Sequence, residues 1–238
     1  MKRGVTLITP TGDRPEALAL CSYYMQRQTV PYNQWLVIDD GNMDIPISIL
    51  PPSGSVEVHK RSVSSVEPPH SLILNLMEAL PLIQYNKVLF IEDDDWYSPT
   101  YIEFMLGLFG EGFQLVGQNN SVYYHVPTMA WHKCGNKSHV SLCQTGFTTD
   151  SIDWVALCLG ACHKAGTNYL DIELWKNPVR KHPVYIDYCY CLGMKGLPGR
   201  KGIGVGHHRF SHYTKDKDLN VLHSYIGNDV RLYKRWMI

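Results

Sequence analysis

"KVLFIEDDDWYSP", residues 87–99, decides how the chain is read. Lys87 to Ile91 is a short, largely apolar run of the kind that forms a buried strand. It ends in Glu92, Asp93, Asp94 and Asp95. Four adjacent acids raise one another's proton affinity and cost stability unless a cation or an array of donors neutralises them. Carboxylates at a strand end suit Mg²⁺ or Mn²⁺, which prefer oxygen ligands and usually share them with phosphates. An exposed acidic turn is the plainer alternative, and the surrounding sequence has to choose between the two.

Upstream, the same design repeats. "GVTLITP" is a β-branched strand that stops at Pro10, followed by turn residues in "TGDRP". "EALALCSYYMQRQ" has helical spacing, with Pro15 and Glu16 suited to a first turn. "QWLVIDDGN" is a second strand running into Asp39-Asp40-Gly41, and "SVEVHKR" is a third. "SLILNLMEALPLI" is helical and leads into the acidic strand. Strands alternating with helices define an α/β unit with a largely parallel sheet, in which ligands bind beyond the carboxyl ends of the strands. Three strands here end in polar clusters: Thr9-Pro10-Thr11, Asp39-Asp40-Gly41 and Asp93-Asp94-Asp95.

Composition bounds the rest. The chain has 238 residues, 45% hydrophobic and 18% charged, enough for one large core and not biased towards disorder. Lys+Arg and Asp+Glu are both 22, but the charge is unevenly placed. Residues 195–238 hold nine bases and three acids, so the body is acidic and the His-bearing tail basic. That asymmetry fits an anionic ligand near the C-terminal segment. The N-terminal apolar run is too short for a signal-peptide core or a membrane span. Seven cysteines form no compact framework, which fits reduced thiols. A soluble, cytoplasmic protein is therefore expected.

"VTLITPTGDRPEAL", "WLVIDDGN" and "VLFIEDDDWYSPTYIEFM", taken together and in this order, resemble the inverting GT-A glycosyltransferases of the family 2 type. The resemblance covers about the first 105 residues. It implies a GT-A (Rossmann-like) α/β fold, with a central mostly parallel sheet flanked by helices. It also implies a single domain over 1–238, with a nucleotide-sugar-binding half (1–116), an acceptor-binding half (117–206) and a basic tail (207–238). The implied activity is metal-dependent transfer of a sugar from a nucleotide-sugar, of UDP type, to an acceptor hydroxyl by a single inverting displacement. Thr9, Pro10, Thr11 and Arg14 would line the nucleotide pocket. Asp39 would accept from the base or ribose, and Asp40 would shape its turn. Glu stands at position 92 where the family's Asp-x-Asp motif has its first acid. Counting back from Pro99, Asp94 fits the metal ligand, with Asp93 or Glu92 touching the ribose or a metal-bound water. The implied cofactor is Mn²⁺ or Mg²⁺.

The second half is read less directly. "YIEFMLGLF" is helical, "FQLVGQ" and "SVYYHVP" are strands, and 129–149 reads as irregular. An inverting transfer needs a base for the acceptor proton. In the family this is a carboxylate beyond the Asp-x-Asp motif. "NYLDIELW" offers Asp171 first and Glu173 second, with Asp150 and Asp153 as runners-up. "GVGHHRFSHY" offers His207 or His208 to the metal, and Arg209, Lys215 and Lys217 to the diphosphate. His132, Cys134, His139 and Cys143 carry zinc-ligand chemistry at an unfamiliar spacing. Trp131, Trp154 and Trp175 serve either as an acceptor platform or, by default, as core. The acceptor expected from the fold is a saccharide or lipid-linked glycan, with a modified DNA base as the alternative. A nucleotidyltransferase and a non-catalytic nucleotide-binding module are the competing functions. The first is disfavoured because "TPTGDRP" does not resemble that class's glycine-rich basic loop.

Overall fold

The computed structural model describes every residue except 52–54, 66, 68–70, 137, 177–178, 203–206 and 208–210. The first half runs β1 (Lys2–Thr11), α1 (Pro15–Gln26), β2 (Gln34–Asp39), β3 (Val56–Lys60), α2 (Leu72–Ala79) and β4 (Tyr85–Phe90). Then follow β5 (Trp96–Tyr97), α3 (Tyr101–Leu108), β6 (Leu115–Gln118), β7 (Asn120–His125), β8 (Ala130–Gly135) and β9 (Thr145–Thr148). The chain ends with α4 (Ile152–Ala165), α5 (Leu170–Trp175), β10 (Lys181–Val184), β11 (Cys191–Lys195), β12 (Thr214–Lys215) and α6 (Asn220–Ile226).

The described strands form a seven-stranded sheet in the order β10-β6-β9-β4-β1-β2-β3 and a five-stranded sheet in the order β12-β8-β7-β11-β5. In the first sheet β1, β2, β3 and β4 are mutually parallel, and β9 runs antiparallel between β4 and β6. Its strands β1, β2 and the second half of β4 read as apolar runs because both faces are covered. Leu7, Trp35, Val37 and Leu89 point to one face, packed with α1 and α3. Ile8, Leu36, Ile38, Val88 and Phe90 point to the other, packed with α2, α4 and α5. No described helix is long and apolar enough to cross a membrane.

Two sequence expectations change here. β1 does not stop at Pro10 but continues to Thr11, pairing Pro10 with Ile38 and Thr11 with Asp39. Pairing with β4 ends at Ile8–Phe90, so the missing N–H of Pro10 removes no bond on that side. The stretch 129–149 is not irregular throughout, for it contains β8 and β9. β9 reads "TGFT" and lacks an apolar run because Gly146 lies where a Cβ would strike Leu89 and the Val88 carbonyl. The division placed at residue 116 falls inside β6, and later strands β9 and β10 complete the same sheet.

Gly117 on β6 is held as tightly: a Cβ there would strike the Gln144 carbonyl oxygen. Gly117→Ala should therefore lower stability by about 1–3 kcal/mol, the usual cost of overpacking. Gly160, inside α4, has open space around its Cβ position. Gly160→Ala should raise stability by roughly 0.5–1 kcal/mol through helix propensity. Urea midpoints of the two variants should move in opposite directions.

Candidate functional site

The parallel pairing of β1 with β4 sets two loops side by side at their carboxyl ends. One is the turn after β1, carrying Gly12 to Arg14; the other is the acidic turn 92–95. Arg14 bridges them: Nη1 donates to Asp93 Oδ1 and Nη2 to Asp94 Oδ2, both at 2.8 Å. Thr11 Oγ1 donates to the other Asp93 oxygen at 2.7 Å. Lys195, the last residue of β11, lies 3.2 Å from Asp95 Oδ1 and 3.8 Å from Asp94 Oδ2. Asp95 also accepts from the Met194 N–H at 2.9 Å. It is packed beside the buried thiols of Cys143 and Cys191.

These contacts set the protonation of the acids. Burial opposes charge on Asp94, but Arg14 and Lys195 outweigh it and hold the carboxyl well below its usual range. Burial pushes Asp93 up to about 6 against the pull of Arg14. Burial and the neighbouring Asp95 push Glu92 well up. Burial works against Lys195 too, yet Asp94 and Asp95 raise it well above its ordinary value. The cluster thus keeps Asp94 ionised in a buried wall.

That wall belongs to a cleft of about 470 Å³. Pro10, Thr11, Arg14, Glu92, Asp93 and Asp94 line one end. Tyr123, His132, His139, Asp171, His212 and Tyr213 line the rest, with Lys195, Arg200 and His207 alongside. His207 Nε2 stands 3.5 Å from Asp94 Oδ2, and burial lowers the proton affinity of the ring. An ionised carboxylate beside a neutral imidazole fits Mn²⁺ or Mg²⁺ as a donor set, with phosphate oxygens and water to complete it.

Other expected residues lie elsewhere. Thr9 is fully buried, and its Oγ1 accepts from Trp35 Nε1–H at 2.8 Å, on the core side of β1. Asp39 accepts from the Gly41 N–H at 2.8 Å and pairs with Lys60 at 2.9 Å. It borders a small adjoining hollow with Asp13 and Met43, not the main cleft. Asp40 is bound by Arg61, Ser71 and Arg200. Glu173 pairs with Lys176 at 2.6 Å outside the cleft lining, and Asp150 and Asp153 are exposed. Lys215 Nζ donates to the Thr128 carbonyl at 2.8 Å. His208 and Arg209 lie outside the described residues.

His132, Cys134, His139 and Cys143 all line the cleft. They do not gather as a zinc set: among the described residues, the one His, Cys, Asp and Glu group close enough to ligate together is Asp95, Cys143 and Cys191. Trp175 is core, donating to Thr145, and neither Trp131 nor Trp154 lines the cleft. Lys195 and Arg200 were missed as site residues. Lys195 carried a readable signal, because "CLGMK" ends an apolar strand in a lone charge, the mirror image of the acidic strand. Arg200 reaches Asp40 because its backbone N–H binds the Asp13 carbonyl at 3.2 Å and Gly199, at φ +100°, lets the two loops touch.

No family model matches the chain, and no curated protein does. Solved structures do. S. aureus TarS 1–349 matches over 82% of this chain and 60% of its own, with a TM-score of 0.57 and 14% identity. S. aureus TarS 1–349 in complex with UDP matches over the same shares, with a TM-score of 0.55 and 13% identity. A longer S. aureus TarS structure gives 0.52 and 13% over 82% of this chain and 37% of its own. The chain shares this mixed α/β fold, and it spans about three fifths of the TarS 1–349 length.

Arg14→Met should leave two buried carboxylates without their main partner. Breaking a buried pair from one side costs about 3–5 kcal/mol. The loss should be largest at neutral pH, where Asp94 is ionised in the wild type. It should shrink as pH falls towards the Asp93 value of about 6, because Arg14 lowers that value in the wild type and without it the carboxyl takes up its proton at higher pH. Urea unfolding at pH 5 and pH 8 measures both arms.

Proposed function

We propose that this chain is a glycosyltransferase that moves a sugar from a uridine diphosphate donor to an acceptor hydroxyl with inversion at the anomeric carbon. One observation carries the reading. A single cleft joins the Thr11–Arg14–Asp93–Asp94 cluster at one end to Asp171, a carboxylate that meets no lysine or arginine among the described residues, along its wall. The fold supports it, since the TarS structures that share this fold include one in complex with UDP. The sequence resemblance to family 2 GT-A enzymes places its motifs on residues 9–14, 39–41 and 92–95, at three strand ends of one sheet.

In this reading the donor's diphosphate lies against Arg14, Lys195 and Arg200, cations that reach the cleft from three segments. Asp94 and His207 hold a divalent ion, which when bound would neutralise charge developing on the leaving diphosphate. Asp171 takes the proton of the attacking hydroxyl. Burial raises its proton affinity above that of an ordinary aspartate, which makes it a stronger base than an exposed one. Attack and departure on opposite faces of the sugar invert the anomeric centre. The acceptor is a hydroxyl-bearing molecule, with a saccharide or lipid-linked glycan as the leading class.

Asp94→Asn should keep the side chain's size and its acceptor oxygen for Arg14 while removing the charge, and should lose Mn²⁺-dependent UDP binding. Asp171→Asn should keep UDP affinity within a few fold. The same variant should lose about two to four orders of magnitude of transfer, the range a positioned base supplies. Calorimetry with UDP and Mn²⁺ checks the first, and turnover of a UDP-sugar the second. Retention of the donor's anomeric configuration in the product would sink the single displacement.

A further inference from the structure

Asp171 meets an imidazole in the cleft where the other acids meet guanidinium or ammonium groups. His139 Nε2 lies 3.8 Å from Asp171 Oδ2, and the two side chains are 23% and 21% exposed. Both line the cleft. They come from separate segments. His139 sits between β8 and β9, with its Nδ1 3.3 Å from Ser138 Oγ. Asp171 stands in the first turn of α5, and Leu170, Leu174 and Trp175 anchor that helix in the core.

Among the described residues, Tyr123 from β7 and Cys162 from α4 also feel the charge of Asp171. Burial pushes both up, so neither carries charge at neutral pH. Tyr123 is further occupied by Ser141, at 2.6 Å. Among the described residues, His139 is therefore the side chain whose charge can favour the ionised carboxylate. Burial drives Asp171 the other way, and His139 opposes it.

The geometry points to His139 as the positioning residue of the acceptor-side base: its imidazole faces the Oδ2 edge of Asp171 across the cleft. The inference rests on the glycosyl-transfer reading. In the step it serves, the hydroxyl's proton passes to the Asp171 carboxylate. The hydroxyl oxygen forms the bond to the anomeric carbon. The bond from that carbon to the diphosphate oxygen breaks, and its electron pair leaves with the diphosphate. A protonated His139 keeps Asp171 ionised to lower pH; without it, the carboxylate holds its proton to higher pH.

The test uses the full chain with Mn²⁺, UDP-glucose and UDP-N-acetylglucosamine, with water as the acceptor and UDP release as the readout. UDP affinity is measured in parallel. His139→Ala should bind UDP within about threefold of wild type, because only the acceptor side is altered. Its hydrolysis rate should fall by about ten- to a hundredfold, part of what a positioned base supplies. The acidic limb of its pH–rate profile should move to higher pH. His139→Lys, which restores a positive charge, should bring that limb back towards wild type, and His139→Gln should not. If His139→Ala fails to fold, the Gln and Lys variants carry the same comparison.

An unchanged rate and limb in folded His139→Ala overturns the inference. So does a slowed rate with an unmoved limb that Lys does not restore, since that is the pattern of a merely structural residue. Loss of hydrolysis in Asp171→Asn beside normal His139 variants removes His139 alone and leaves the glycosyl-transfer reading standing. A wild-type protein that neither binds UDP nor releases it from either donor removes that reading, and the inference with it.

Discussion

The structure depends on the guanidinium of Arg14 between Asp93 and Asp94. It joins the loop after β1 to the loop after β4, and that junction is the floor of the cleft. Two unit charges 4 Å apart attract by about 1 kcal/mol in water but about 4 kcal/mol at an effective dielectric near 20. Burial thus strengthens the bridge. It also exacts several kcal/mol of desolvation from each ion, so the net effect on folding is small or unfavourable compared with an apolar core. An acid quartet with two buried cations is a poor device for stability. What it provides is an ionised carboxylate, Asp94, held at a fixed point on a cleft wall, with His207 beside it. Among the described residues, Arg14 Nε has no hydrogen-bond partner.

Much of this was legible in the sequence where local pattern and tertiary role agree. β1, β2 and the second half of β4 are apolar runs because they are buried on both faces, β3 is the partly exposed edge strand, and α1 carries Pro15 and Glu16 in its first turn. The convergence of Thr11, Arg14, Asp93 and Asp94 could be anticipated because parallel strands bring their carboxyl ends together. Asp171 was placed beyond the acidic motif, and it does line the same cleft. What the pattern could not give depends on contacts distant in sequence. β9 hides in "TGFT" because close packing demanded a glycine where propensity would ask for an apolar residue. Thr9 and Thr11 stand two residues apart and share a face of β1, so strand periodicity does not separate them: Thr9 is covered by Trp35 in the core, and Thr11, at the end of the strand, meets Asp93. Asp39 and Asp40 likewise part company, the first to Lys60 and the second to Arg61 and Arg200. Sequence spacing alone cannot say which of two adjacent acids turns towards a cleft.

The site stands at the seam of the two sheets, and each contributes a different chemistry. The parallel sheet supplies strand-end loops, where backbone and short side chains converge on anionic groups. The smaller sheet supplies the opposite wall: Tyr123 from β7, His132 from β8 and Lys195 from β11. Lys195 belongs to both, since its strand lies in the second sheet and its ammonium neutralises the acids of the first. A change in β11 would therefore be felt at the acidic turn without touching the first sheet.

The cleft's acids then sort by partner. Asp93 is fixed by Arg14 and Thr11, and Asp94 by Arg14, Lys195 and His207. Glu92 is driven to hold its proton by burial and by Asp95. Asp94, held well below its usual range by guanidinium and ammonium, is too weak a base to take a hydroxyl proton; both oxygens of Asp93 are occupied by Arg14 and Thr11; and Glu92, already protonated, cannot take another. Among the described residues, Asp171 meets none of these handicaps. Its neighbour is an imidazole, and its proton affinity is raised by burial while that neighbour restrains the rise. Under the proposed reaction, the same physics that assigns Asp94 to the anionic donor assigns Asp171 to the proton, and the difference lies in the strength of the cation each one faces.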